Sequence, residues 1–151
     1  MTPNLFRVAA QSPAALEALV SFFGAVGKGK LDARSREAIA LSVSEINACD
    51  YCLSAHSALG NHAGLDEGAI DDARLGKSSD AHRQALLTLA RATVQHRGRV
   101  DGVLDEARRA GLSDAELVEV VANVSLTIFT NYLNELAGTD IDFPAVHHHA
   151  R

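Results

Sequence analysis

The 151-residue chain has two cysteines, Cys49 and Cys52, three positions apart, with His56 four residues further on in the segment NACDYCLSAHSALGNHAG. A C-x-x-C pair at a helix start can close reversibly to a disulfide, because both sulfurs reach bonding distance and the free N–H groups of the first turn favour the thiolate. An unassisted cysteine titrates near ~8.5, so such help is what makes it a nucleophile at neutral pH. At about 100° per residue the three side chains fall at roughly 0°, 300° and 340° on a helix wheel, inside one ~60° sector. The spacing predicts a shared site for thiol chemistry.

Two carboxylates precede this trio, Glu37 twelve residues before Cys49 and Glu45 four before it. Either reaches the thiols if the helix carrying them folds back on the helix of the cysteines. Glu37 stands among Ala38, Ile39, Ala40 and Leu41, where partial burial would push its pKa upward and let it exchange protons near neutrality. Glu45 reads as a solvated residue near a helix end.

Plainer readings stand beside these. The thiols can be two small apolar core residues, and Glu37 taken alone is a helix-surface charge. A metal site is a further alternative: Cys49, Cys52 and His56 supply three ligands where structural zinc takes four, so Glu45 or His62 would have to complete the set. His62, His82 and His96 read as surface or structural histidines. Tyr51, between the cysteines, points to the far side of the helix from His56 and is expected to pack. Asn131 and Tyr132 either line a pocket or form a polar break in a core helix.

The elements that must position this chemistry are helical. Apolar spacing of 3, 4 and 7 recurs through most of the chain, with no sustained period-2 alternation. Ser12 N-caps a helix with Pro13 at its first position, ending at the Gly-rich GAVGKGK. A second helix runs from about 33 to 46 and a third from 47–49 to the glycines at 60–64. Others are expected near 66–75, 79–96, 100–110 and 113–136, the last opened by a Ser113/Glu116 capping box. Gly76, Gly98, Gly111 and Gly138 fall at helix stops. The fold expectation is one all-α domain, residues 1–151, a bundle of about six to seven helices with 143–151 as a flexible tail. His147, His148 and His149 lie in that tail and can bind metal adventitiously. The last helix is apolar around much of its circumference, which suits the core or a contact between subunits.

Composition narrows the function classes. The chain is 47% apolar and 5% aromatic, lacks Trp and carries a net charge of −5, which argues against a nucleic-acid surface. No apolar run is long enough for a membrane span, and MTPNLFRVAAQSP has no basic region before its apolar stretch, so a cytoplasmic location is expected, where a close cysteine pair more often means redox or metal chemistry than a structural bridge.

The arrangement of Glu37 and Cys49-x-x-Cys52-x-x-x-His56 in REAIALSVSEINACDYCLSAH resembles the alkylhydroperoxidase D-like branch of the carboxymuconolactone decarboxylase family, and NYLNELAGTDIDFP resembles the C-terminal part of its peroxidase-related members. The resemblance implies an all-helical fold, assembly as a trimer or hexamer, and reduction of organic hydroperoxides through a dithiol/disulfide cycle with no dissociable cofactor. It makes Cys52 the thiol that attacks peroxide, Cys49 the partner that closes the disulfide, and Glu37 and His56 the proton relay. Electrons would come from an external dithiol or a thioredoxin- or lipoyl-type partner. Some members carry a second His between the cysteines, where this chain has Tyr51. The alternatives are a general disulfide oxidoreductase and a non-catalytic redox-sensing or metal-binding oligomeric module.

Overall fold

Five short polar side chains set where helices begin. Ser12, Asp32, Asp66, Asp80 and Ser113 accept hydrogen bonds from the amides of Ala15, Ser35, Ala69, Arg83 and Glu116 at 3.3, 2.8, 2.8, 2.7 and 3.4 Å, each satisfying an N–H that the helix leaves unpaired. The computed structural model describes residues 2–149. It contains helices α1 (Asn4–Ala9), α2 (Pro13–Val26), α3 (Ala33–Ile46), α4 (Asp50–His62), α5 (Glu67–Arg74), α6 (Ala81–Gln95), α7 (Asp101–Arg109) and α8 (Asp114–Ala137). No strand occurs among the described residues. The expected all-α fold is present, with one more helix than expected: α1 is a six-residue helix with no side-chain cap, so no capping residue marks its start. The Ser113/Glu116 capping box forms with both of its hydrogen bonds, and Gly76, Gly98, Gly111 and Gly138 all take positive φ.

Helix α3 is the centre of the bundle, packed by α4, α5, α6 and α8, while α8 also lies against α1, α2, α4, α6 and α7. Ile39, Leu41 and Val43 of α3 meet Leu53 of α4 and Leu86 and Leu87 of α6 in a fully buried core. A second cluster joins α1, α2, α4 and α8 through Leu5, Leu19, Cys49, Tyr51, Cys52 and Leu126. The cysteines therefore lie in the smaller core, and α3 brings Glu37 to it from the larger one. No helix among the described residues is long and apolar enough to cross a membrane.

Residues 143–149, expected as a tail, are placed along α4. Phe143 meets the Tyr51 ring edge-on at 5.9 Å, and the Val146 amide donates to Ser54 Oγ at 2.9 Å. His147 and His148 place their Nδ1 atoms 2.7 Å from the two Asp50 carboxylate oxygens. The described part of the tail thus has a carboxylate to hold it, Asp50 in the first turn of α4; residues 150–151 lie outside the described residues.

Candidate active site

The turn between α3 and α4 sets the cysteines. The Ala48 amide donates to the Glu45 carbonyl at 3.2 Å and the Cys49 amide to the Ser44 carbonyl at 3.0 Å, a Schellman closure with Ala48 in the left-handed region at φ 54°. Glycine usually fills that place; a β-carbon there costs about 1 kcal/mol. Cys49 is then the N-cap of α4, with extended φ and ψ of −92° and 95°, and its sulfur accepts from the Cys52 amide. The helix-wheel placement of Cys49 needs this correction, since the residue stands just outside the helix. The N-cap geometry itself turns its sulfur inward, and Cys49 Sγ lies 2.7 Å from Cys52 Sγ.

Both thiols are free and only 0% and 2% exposed. The Cys52 pKa is lowered to about 6, first by the hydrogen bond from Cys49, then by the His56 charge and the amides of Asn134 and Asn131, which together outweigh burial. Cys49 is pushed strongly upward by giving its proton to that bond, by burial and by the adjacent thiolate. The two shifts run in opposite directions, which favours Cys52 over Cys49 as the thiolate of the pair.

His56 and Glu37 are brought together, Nδ1 to Oε2, at 2.7 Å, with side-chain exposures of 14% and 20%. Burial pulls the imidazole pKa down, but the Glu37 charge and hydrogen bond and the Cys52 thiolate raise it overall, so the imidazolium is favoured. With Nδ1–H bonded to Glu37, Nε2 is left as the nitrogen whose proton can move. The pair opens on a cavity of about 180 Å³ walled by Phe23, Val26 and Leu126 and by Arg36, Glu37 and His56. Cys52 is not part of that wall; His56, whose charge acts on Cys52, is.

Helix α8 contributes a residue that the sequence reading missed. Asn134 Nδ2 donates to Cys52 Sγ at 3.3 Å. Asn131, fully buried, accepts from Asn47 Nδ2 at 2.8 Å and donates to Ser44 Oγ at 3.0 Å, tying α8 to the turn before Cys49. A signal for this was present: Asn123, Thr127, Thr130, Asn131 and Asn134 are all buried and recur at spacings of three and four, a polar stripe on one face of an otherwise apolar helix. Tyr132, its neighbour in sequence, is 62% exposed and plays no part in the site.

The remaining candidates fall elsewhere. Tyr51 packs as expected, 4% exposed, with its hydroxyl accepting from the Leu5 amide at 3.1 Å. Glu45 is not solvated: it is paired with Arg74 Nε at 2.8 Å and with the His149 amide at 2.7 Å, because α5 and the C-terminal segment cover that end of α3. Committed to those partners, it does not join the thiols. No group of three or more His, Cys, Asp or Glu residues among the described residues is arranged to hold a metal ion.

Residues 13–81 match the model of the carboxymuconolactone decarboxylase family. No curated protein matches the sequence. Among solved structures, the chain resembles an uncharacterized peroxidase-related protein from Silicibacter sp. TM1040, with a TM-score of 0.84 and 23% identity over 93% of this chain and 76% of that one. It also resembles an alkylhydroperoxidase AhpD core protein, again peroxidase-related and uncharacterized, from Ralstonia eutropha JMP134, with a TM-score of 0.83 and 21% identity over 94% and 78%. A third is a cysteine-to-alanine variant of the debrominase Bmp8 in complex with 2,3,4-tribromopyrrole, with a TM-score of 0.80 and 22% identity over 94% and 78%. The family likeness read from Glu37, Cys49, Cys52 and His56 thus holds for the N-terminal half, and the AhpD-like fold for nearly the whole chain.

Proposed function

We propose that this chain, whose residues 13–81 match the carboxymuconolactone decarboxylase family model, is a thiol-dependent peroxidase that reduces organic hydroperoxides. The observation that carries the reading is the geometry of two adjacent pairs, Cys52 Sγ 2.7 Å from Cys49 Sγ and His56 Nδ1 2.7 Å from Glu37 Oε2, which holds the Cys52 thiol down and the imidazole up. In the first step the Cys52 sulfur attacks the terminal oxygen of ROOH, the S–O bond forms and the O–O bond breaks. The alkoxide takes the His56 Nε2 proton and leaves as ROH, while Glu37 keeps the ring in the tautomer that can give it. Cys52 is then a sulfenic acid. In the second step the Cys49 sulfur attacks the Cys52 sulfur and expels hydroxide, which leaves as water with the Cys49 proton. Two electrons have passed from the dithiol to the peroxide, and the Cys49–Cys52 disulfide remains for an external dithiol to reduce.

Tyr51 in place of a second histidine leaves the relay with a single imidazole, which His56 serves alone. Val118, Val121, Tyr132 and Leu136 are exposed along α8 and support self-association, which light scattering on the purified protein tests. The test of activity is dithiothreitol-dependent loss of tert-butyl hydroperoxide: turnover by the native chain and none by Cys52→Ser supports the reading, and equal rates with and without protein overturn it. The fold shared with the debrominase Bmp8 favours a second reading, in which the C–Br bond of a brominated ring breaks as the Cys52 sulfur takes the bromine as Br⁺, the ring carbon takes a proton from His56, and Cys49 then attacks the Cys52 sulfur and expels bromide, leaving the disulfide; release of bromide from 2,3,4-tribromopyrrole tests it.

A further inference from the structure

The cavity beside the relay carries a charge that peroxide chemistry does not use. Arg36 is half-buried and lines the cavity with Glu37 and His56. Among the described residues its hydrogen-bond partner is the Leu31 carbonyl, which it reaches through Nη1, and no carboxylate pairs with it. The nearby acids are already engaged. Glu37 is bonded to His56 at 2.7 Å. Glu119 of α8 accepts from the Lys30 and Leu31 amides at 2.7 and 3.0 Å. Asn123, Thr127 and Thr130, which face the cavity from α8, are neutral. The wall thus carries one unpaired guanidinium beside an internally balanced carboxylate and imidazolium.

An arginine with unmet donors at an apolar-walled cavity is suited to a planar anion, which its fork binds through two parallel hydrogen bonds. The apolar part of the wall, Phe23, Val26 and Leu126, is suited to a compact hydrocarbon. The volume of about 180 Å³ admits little more than one small ring or branched alkyl group, since roughly 150 Å³ holds benzene. We infer that Arg36 is an anion subsite in this cavity and that the molecule taken there is a small organic hydroperoxide bearing a carboxylate, its hydrocarbon against α2 and α8 and its peroxide end toward His56. The inference rests on the peroxidase reading only for the word hydroperoxide; the subsite itself stands on the cavity and its charge.

Two measurements separate the two claims. The first uses 3,3-dimethylbutanoate, an unreactive carboxylate of the right size, and its neutral amide, each titrated calorimetrically into the reduced protein. Binding of the carboxylate about tenfold or more tighter than the amide is expected. That difference should vanish in Arg36→Gln and be largely kept in Arg36→Lys, which preserves the charge. Equal binding of the two compounds by the native protein, or a preference that survives in Arg36→Gln, overturns the subsite. The second compares kcat/KM for 3-hydroperoxy-3-methylbutanoate and tert-butyl hydroperoxide, which share a tertiary peroxide and differ by the carboxylate. A native preference of about tenfold that falls toward one in Arg36→Gln, chiefly through KM, is expected. Consumption of neither peroxide, with selective carboxylate binding intact, defeats the peroxidase reading and leaves the subsite; consumption of both at equal efficiency, with the carboxylate and the amide bound equally, does the reverse.

Discussion

Asn134, near the end of α8, donates its side-chain amide to the sulfur of Cys52 at 3.3 Å, across 82 positions of sequence. The bond joins the longest helix to the candidate nucleophile and gives a buried thiolate one of the donors it needs in place of water. A hydrogen bond to a charged group contributes about 1.5–3 kcal/mol, so Asn134→Leu should raise the pH midpoint of Cys52 alkylation by about one unit or more. Iodoacetamide labelling followed by mass spectrometry measures it; an unmoved midpoint would mean that the amide does not support the thiolate.

The native pH profile follows from the same groups. Cys52 is lowered to about 6 from an ordinary 9.0, and alkylation requires the deprotonated form. The rate should therefore climb through pH 6 and be level by about pH 8, where an unperturbed thiol would still be rising. In His56→Ala the imidazolium charge is lost and the midpoint moves up, toward that of an ordinary thiol. Peroxide consumption by the same variant should fall by roughly 100-fold or more, the usual contribution of a positioned general acid, and Glu37→Gln should give a smaller loss, because it removes the charge while keeping an acceptor for Nδ1.

Much of this arrangement was legible in the sequence, and the part that was not has a physical reason. Cys52 and His56 are four apart on one helix, so helix phase alone aligns them, and Glu37 follows once α3 and α4 fold into a hairpin. Cys49 reaches its place by a different route, through the Schellman turn at Ala48, which carries none of the glycine that normally announces such a turn. The polar stripe that holds Asn134 was visible in the spacing of α8, but its partner, like that of Glu45, was not, because both partners come from distant helices. Asn134 meets Cys52 only when α8 crosses α4, and Glu45 meets Arg74 only when α5 covers the end of α3. The uncapped α1 forms because Leu5, Phe6 and Ala9 pack into the core around the thiols, a tertiary cause that local spacing does not record.

Ala48 offers a stability test beside the site. Its φ of 54° is unfavourable for a residue with a β-carbon, so Ala48→Gly should stabilise the fold by about 0.5–1 kcal/mol after the greater unfolded-state freedom of glycine is counted. Thermal unfolding should register this as a rise of roughly 1–4 °C. A fall would show that the turn does not hold this geometry.

Asp50 anchors the C-terminal segment, and its removal should release it. The carboxylate is held down to about 2 from 3.8, its hydrogen bonds to His147 and His148 outweighing the burial that acts upward. A depressed carboxylate contributes its stabilisation above the unfolded value and loses it as pH falls through the folded one, so the docking should persist from neutrality to about pH 4 and weaken between 4 and 2. Hydrogen exchange at the amides of Val146 and His148, which donate to Ser54 and Asp50, should be slow in the native chain and fast in Asp50→Ala at pH 7. Equal exchange in the two would mean that Asp50 does not hold the segment.

The roles of the two sulfurs separate under substitution. Cys49→Ser should still attack peroxide once and stop at a sulfenic acid on Cys52, trapped by dimedone, whereas Cys52→Ser should form no adduct at all. A dimedone adduct on Cys49 in the native chain or in Cys52→Ser would reverse the assignment.

The most direct measurement of the central claim is a single turnover. Fully reduced protein is mixed anaerobically with one equivalent of tert-butyl hydroperoxide, and the Cys49–Cys52 peptide is weighed by mass spectrometry. The account predicts stoichiometric conversion to tert-butanol with the loss of about two hydrogen masses from that peptide, as both thiols close to a disulfide. Retention of both thiols after prolonged exposure to excess peroxide would contradict it.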